Sequence, residues 1–359
     1  MTCLGIAGVI AVILFLQGFR EGLDTQLRNV ALDRGADLIA TQEGVRNMIG
    51  ARSVIPQMTR DDVERVTGVA TAHPMTTLPI IYENSGRRTP IFLFVVDALG
   101  GPRATMAGTL PETEGQVLID RSVARMFDLA PGDDFAIAGY AFEVSGVVEP
   151  TSALWTPFAF VSFDSLLEFY FEANLADDIS AFPLLSYLLV ELEPGSDAQE
   201  VLRDLEAAVP EIDVYLPEEM ALNDEALGRT MLGALMALLI GIAYVAGLLV
   251  VALFMYTAAE ARRRDLGILK ALGFPPASIA LSVVAEVALL VTAAIPVGIA
   301  VALGLAAVTH VAMPLYLVQP VQPGPLLWVI GGGVLFALVG GLAPWRVVRR
   351  LDPHEVFQG

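Results

Sequence analysis

The chain has 359 residues, 55% of them hydrophobic, with a mean hydropathy of +0.63 and a formal net charge of −19. An apolar content that far above the soluble average puts a membrane protein first among the possible classes. Residues 20–229 carry 14 Arg and no Lys against 35 Asp and Glu. That acidic balance excludes nucleic-acid binding, which needs Lys and Arg to neutralise phosphates. The remainder is slightly basic, with 7 Lys/Arg against 5 acids, so an acidic middle lies between two apolar ends. Cys3 is the single cysteine, which rules out an internal disulfide and is expected as a buried structural thiol.

The first predicted element is a membrane helix over residues 3–19, "CLGIAGVIAVILFLQGF". It has neither the basic leader nor the small-residue cleavage site of a signal peptide, so a retained anchor is expected. With its stalk it makes up residues 1–33. Residues 34–216 predict an inserted α+β domain. "GADLIA" (35–40) is a strand. Thr59 and Asp62 are spaced as a capping box opening "TRDDVERVTG". "LPIIYENSGRRTPIFLFVVD" reads as a hairpin turning at Asn84-Ser85-Gly86. Residues 115–150 read strand, short helix, Pro131-Gly132 turn, strand, tight turn at Gly139, strand. Residues 184–217 read strand, turn, helix capped by Ser196 or Asp197, strand. Helices scattered among paired strands predict mixed sheets.

From Pro217 to the stalk end, residues 217–359 return to the membrane. Pro217, Glu218 and Glu219 are helix-start chemistry. Nothing before Arg264 breaks the helix, which at 1.5 Å per residue would reach about 70 Å, over twice a bilayer core. Further spans are expected at about 230–257, 278–312 with Pro296 inside, and 325–345, giving an all-α part of four transmembrane helices. Arg262, Arg263, Arg264 and Lys270 follow the second span, and Arg346, Arg349 and Arg350 follow the fourth. By the positive-inside rule, the 258–277 loop, the 346–359 tail and both termini are cytoplasmic. Residues about 20–229 then lie outside a multi-pass inner-membrane protein. Arg20 and Arg28 sit on the opposing side of the first span and are outweighed by the two clusters.

Enzyme chemistry finds no support. His73, His310 and His354 lack any HExxH-type spacing, so neither metal nor cofactor is expected. A P-loop needs G-x-x-x-x-G-K-[ST], but the only lysine, Lys270, precedes Ala271. ATP energy would therefore have to come from a partner. Small-residue faces at Ala243/Gly247, Ala300/Gly304 and Gly333/Ala337/Gly341 suit close helix packing, within the bundle or between subunits. Glu286, the one acid inside a span, should be paired, protonated or hydrated. Its reading is a structural hydrogen bond near the cytoplasmic boundary or a role in coupling.

The loop "EARRRDLGILKALG" (260–273) joins a topology signal to something more. Leu266, Ile268, Leu269 and Leu272 fall on one helical arc, with Arg263 and Lys270 on the other side. Gly273 and Pro275-Pro276 stop the helix. A cytoplasmic helix with an apolar face suggests a docking surface for another protein, set against plain headgroup contact.

"EARRRDLGILKALGFPPASIALSVVAEVALL" resembles the signature loop and third span of MacB/FtsX/LolC-type ABC transporter permeases. Asp265, Ile279 and Glu286 fit that pattern, and the tail "PWRVVRRLDPHEVFQG" fits the family ending through Asp352, Pro353 and Glu355. "GQVLIDRSVARMFDLAPGDDFAIAGYAFEVSGVVE" is similar to the recurring segment of the MacB periplasmic core domain. The resemblance implies a dimeric permease, with a second copy or a paralogue, that recruits ABC ATPase subunits. In that case the ATPase-docking coupling helix is Arg262, Arg263, Arg264, Asp265, Leu266, Leu269, Lys270, Leu272 and Gly273, with the leucines as apolar anchors. It leaves open whether a periplasmic adaptor and an outer-membrane channel take part, beside contacts with membrane lipids. The family places a basic segment before the first span. Here "MTCLGIAGVI" begins inside it, and a start upstream of Met1 would add basic residues on the inner side.

Two functions are compatible with this reading. One is ATP-driven movement outside the membrane that exports or extracts an amphiphile, peptide or lipoprotein. The other is FtsX-like control of an extracellular partner, such as a cell-wall hydrolase, with nothing transported.

Overall fold

The computed structural model describes residues 2–137, 139–149, 151, 153, 156–166 and 184–340. The expected tail, 346–359 with Asp352, Pro353 and Glu355, and the last residues of the fourth expected span lie outside them. The chain divides into two units.

One unit holds Leu23–Met231 together with Met313–Tyr316. Its strands are β1 (Leu38–Gln42), β2 (Ile55–Pro56), β3 (Val69–Asn84), β4 (Arg87–Val96), β5 (Ala107–Gly108) and β6 (Gln116–Asp120). They continue as β7 (Asp134–Ile137), β8 (Tyr140–Val148), β9 (Phe158–Ser162), β10 (Leu184–Leu185), β11 (Tyr187–Leu192) and β12 (Ile212–Tyr215). Ten of them form one mixed sheet in the order β12-β1-β11-β3-β4-β9-β6-β8-β5, with β7 beside β8, and β2 pairs with β10 apart. The β4–β9 and β6–β8 pairs are parallel. The β3–β4 hairpin turns where expected. Ser85 and Gly86 both take positive φ, 51° and 75°, as a two-residue primed turn requires.

Successive residues of the central strands enter opposite cores, as the pleat dictates. Ile91, Leu93, Val95, Val117, Ile119 and Val161 face a cluster with Phe135 and Phe142, where Tyr82 stacks on Phe135 at 4.1 Å. Phe94, Val96, Leu118, Phe158 and Phe160 face the other side. Burial on both faces explains why β4 and β9 read as nearly continuous apolar runs. Each buried side chain of this kind stabilises the fold by about 1.5–3 kcal/mol.

The helices of this unit start by different means. In α3 (Arg121–Phe127), buried Asp120 is the N-cap and accepts from Ser122 N at 2.6 Å. In α4 (Ala198–Ala208) the cap is Asp197, accepting from Gln199 N at 2.8 Å, which decides between the two expected residues. The expected capping box of α2 (Thr59–Glu64) is not formed. Met58 already has helical dihedrals, and the carbonyls of Gln57 and Met58 accept from Arg60 and Asp61, so the buried Thr59 has no capping role.

The first turns of α5 (Pro217–Ala261) and the last turns of α1 (Thr2–Leu32) pack within this unit. Arg229 reaches Asp24 at 3.2 Å and Arg28 approaches Glu225 at 3.8 Å. Asp224 accepts from Met48 N at 2.9 Å and Ile49 N at 3.3 Å. A side chain at Gly228 would meet Leu27 Cδ1 at 2.1 Å, so glycine sets the approach of these two helices.

The other unit, among described residues, holds 2–22, 232–312 and 317–340. It is all-helical, with α6 (Arg263–Ala271), α7 (Pro276–Ala312) and α8 (Pro323–Gly340) beside the rest of α1 and α5. Among the described residues, three helices, within Cys3–Leu32, Pro217–Thr257 and Ala285–Ala312, are long and apolar enough to cross a membrane. The fourth expected span falls on α8, which is described up to Gly340 and is not one of these three. Ile6, Ile10, Ile13 and Leu14 of α1 pack with Val251, Met255, Val287, Val291 and Val329. Helices here approach on small residues, as membrane packing requires. Of the expected positions, Ala243 packs against this core, Gly247 is buried and a Cβ at Gly333 would lie 3.1 Å from Val291, while the tighter approaches fall on glycines not singled out in the sequence: a Cβ at Gly298 would lie 2.6 Å from Ile10, and one at Gly5 would lie 2.3 Å from Phe254. Ala300 and Gly304 face open space instead. Cys3 is half-buried rather than buried. Pro276 starts α7 rather than only ending the helix before it, because its missing N–H costs nothing at a first helical position.

Candidate functional site

The helix expected to run unbroken to Arg264 ends at Ala261, and α6 starts at Arg263, leaving Arg262 at the break. The end of α6 is built by Gly273, with φ 88°, and by Phe274 N donating to Leu269 O at 3.2 Å. This six-to-one bond around a left-handed glycine satisfies an orphan carbonyl and turns the chain toward α7. A nine-residue helix is thus held between two long ones.

The described apolar side chains of this segment are exposed. Ile268 is 41% exposed, Leu269 36% and Leu272 71%, and Phe274 beyond the cap is exposed as well. Gly267 of this helix and Ile279 of α7 are buried. Arg264 and Asp265 are exposed, with Asp265 in the first turn, where a negative charge suits the helix dipole. The side chains of Arg263, Leu266 and Lys270 lie outside those described.

Arg262 does something the sequence pattern did not show. Its Nη1 donates to Glu286 Oε1 at 2.8 Å and Oε2 at 2.9 Å. Glu286 lies ten residues into α7, about 15 Å along its axis. One arginine at the α5–α6 break therefore holds the acid of the following helix, across 24 residues of sequence. In apolar surroundings such a pair lowers the cost of both charges. Sequence reasoning named both residues but gave them separate roles, because periodicity carries no information about which side chains meet across two helices.

Among the described residues, no group of three or more His, Cys, Asp or Glu is placed to hold a metal. His73 lies on β3, with Asp97 at 3.8 Å and Glu191 at 3.5 Å, and His310 lies in the last turn of α7. His354 is outside the described residues. The sequence reading also missed Arg34, a charged side chain buried in the sheet unit and only 3% exposed. Its sole sequence signal is an arginine directly after a long apolar helix, which reads as a surface residue.

Two family models match the chain. "MacB-like periplasmic core domain" covers residues 2–208, and "FtsX-like permease C-terminal" covers residues 235–353. An uncharacterised ABC transporter permease of Mycobacterium tuberculosis is 25% identical over 366 residues, spanning 100% of this chain and 95% of its own length. A second, from Mycobacterium bovis, is 23% identical over 356 residues, spanning 98% of this chain and 93% of its own. Among solved structures, the periplasmic region of MacB from Actinobacillus actinomycetemcomitans is 12% identical with a TM-score of 0.39, over 56% of this chain and 98% of that one. The extracellular domain of the transporter YknZ from Gram-positive bacteria is also 12% identical, with a TM-score of 0.37, over 50% of this chain and 100% of that one. With one family model matching more than half of its length and a second most of the rest, the chain belongs to the MacB/FtsX type of ABC transporter permeases.

Proposed function

We propose that this permease is the membrane subunit of a machine that does mechanical work outside the membrane, with ATP hydrolysed on a separate cytoplasmic subunit docked on α6. The observation that carries this is the row of exposed side chains, Ile268, Leu269 and Leu272, on a short capped helix between two long ones. Apolar side chains at a helical loop gain nothing from water. An apolar groove on an ATPase would bury them, with Arg264 and its basic neighbours at the rim. Closure of two ATPases would displace α6 in each of two permease copies. The 45 residues of α5 would carry that movement outward. A continuous helix of that length reaches roughly 70 Å and resists bending through its hydrogen-bonded backbone. The Arg262–Glu286 pair would make α7 move with the loop. On this reading four helices span the membrane, both termini are cytoplasmic, residues about 20–229 are extracytoplasmic, and the cargo is an amphiphile, peptide or lipoprotein.

The test is capture. Leu269→Asp is expected to abolish co-purification of the ATPase subunit while membrane insertion is unchanged. Full capture by this variant would move the docking surface elsewhere. A cysteine placed at 86 should be labelled by an impermeant reagent on intact cells and one placed at 264 should not; the opposite labelling would invert the topology.

A further inference from the structure

In the sheet unit, a cavity of about 460 Å³ opens where α1 ends, lined by Arg34, Asp97, Arg103, Leu110, Leu118 and Phe160 among others. Its size lies within the range of small-molecule sites, about 300–1,000 Å³. Arg34 is the unusual residue. Its guanidinium lies over the rings of Phe94 and Phe160, 5.1 and 5.4 Å from their centroids. Nη1 donates to Gly100 O, and Gly100 N donates back to Arg34 O at 3.1 Å, which fixes the residue at the cavity wall. Nε is buried and has no partner among the described residues.

A buried cation with an unused donor is costly unless an anion meets it. Asp33, the preceding residue in the chain, offers a compensating charge. Burial pulls the guanidinium down to about 10, which still leaves it charged at neutral pH. A second cation stands beside it. A side chain at Gly35 would lie 2.3 Å from Arg103 Nη2, so the Arg103 guanidinium rests against the residue after Arg34. Two arginines thus share one wall of the cavity. The lining acid is Asp97, whose carboxylate lies 3.8 Å from His73 Nδ1. The rest of the wall is mainly apolar.

We propose that this cavity is a binding site for a small organic anion, a carboxylate or phosphate carrying a short apolar body. The anion would accept hydrogen bonds from Arg34 and Arg103, and the apolar body would lie on Leu110, Leu118 and Phe160. Guanidinium suits both head groups, because its planar fork bonds two oxygens at once. The site is independent of ATPase docking and is measured without nucleotide.

The experiment is calorimetric titration of the full chain in phosphatidylcholine nanodiscs, referenced to empty nanodiscs, with octanoate, octyl phosphate, octanol and acetate. Octanoate and octyl phosphate should bind saturably at one site, octanol should not, and acetate should bind at least about tenfold more weakly. Arg103→Ala removes an exposed side chain and should weaken octanoate about tenfold or more without affecting folding. Arg34→Lys keeps the charge, loses the fork and should also weaken it. Asp97→Asn should tighten it. The proposal is overturned by an absence of saturable binding, by octanol or acetate binding as well as octanoate, or by unchanged affinity in Arg103→Ala. Nanodiscs containing phosphatidylglycerol separate two sources of the ligand. A loss of octanoate affinity there that Arg103→Ala abolishes identifies a lipid headgroup, and unchanged affinity identifies a free anion.

Discussion

The sheet unit and the helical unit use apolar side chains in opposite ways. In the first, Phe135, Leu93 and Ile119 have no exposed surface, and the buried Asp120 is held by a hydrogen bond from Ser122 N. In the second, Leu238, Ile242, Val245 and Leu249 stand exposed along α5, while the close contacts fall on glycine. Water drives the first arrangement by expelling apolar surface. Lipid gives no such drive, so helices associate by close packing and leave large side chains facing the chains of the bilayer. An exposed leucine is therefore unremarkable on α5 but informative on α6, where the loop lies beyond the apolar run.

Five substitutions would break or sharpen this contrast. Phe135→Ala should destabilise the sheet unit by about 3–5 kcal/mol, the cost of an aromatic-sized void. The thermal unfolding temperature of the sheet unit should fall sharply while membrane insertion persists; an unchanged transition would deny it a packed core. Ile242→Asp, at the middle of the second span, should raise the cost of insertion by about 2.5–3.5 kcal/mol. A glycosylation-based insertion assay would show the loss, and full insertion would mean that this face is not lipid-exposed. Gly298→Leu should cost about 1–3 kcal/mol through overpacking against Ile10. Its readout is detergent stability, where a neutral result would mean α1 and α7 are not in contact. The smallest effect should be Asp197→Ala, about 1 kcal/mol from a lost helix cap. Ser196→Ala should be closer to neutral, and a reversal of that order would move the cap to Ser196.

Much of the sheet unit's local structure was legible because it follows from short-range chemistry. Asn84-Ser85-Gly86 announces a primed turn, and the hairpin forms there. The strand–helix–hairpin sequence between Gln116 and Val148 lies where its turn residues put it. The capping box at Thr59 failed because a backbone already helical at Met58 removes the need for a side-chain cap. The strand at Phe158–Ser162 went unread, although it lies between β4 and β6 and is parallel to β4. Its partners are more than sixty and about forty residues distant, and no periodicity reports pairing at that range.

The same division holds for the candidate site. Residue spacing by itself determined that an apolar face and a basic flank would share one short segment after a membrane helix, because helical geometry repeats every 3.6 residues. Apolar runs and their flanking charges determined the class of protein, because a bilayer selects on length and charge alone. Only the tertiary structure decided that Arg262 meets Glu286, that Gly298 rather than Gly304 is the close contact, and that Arg34 is buried beside Arg103 at a cavity. Each of these depends on which surfaces come together, and such contacts arise from the packing of distant segments rather than from any local pattern.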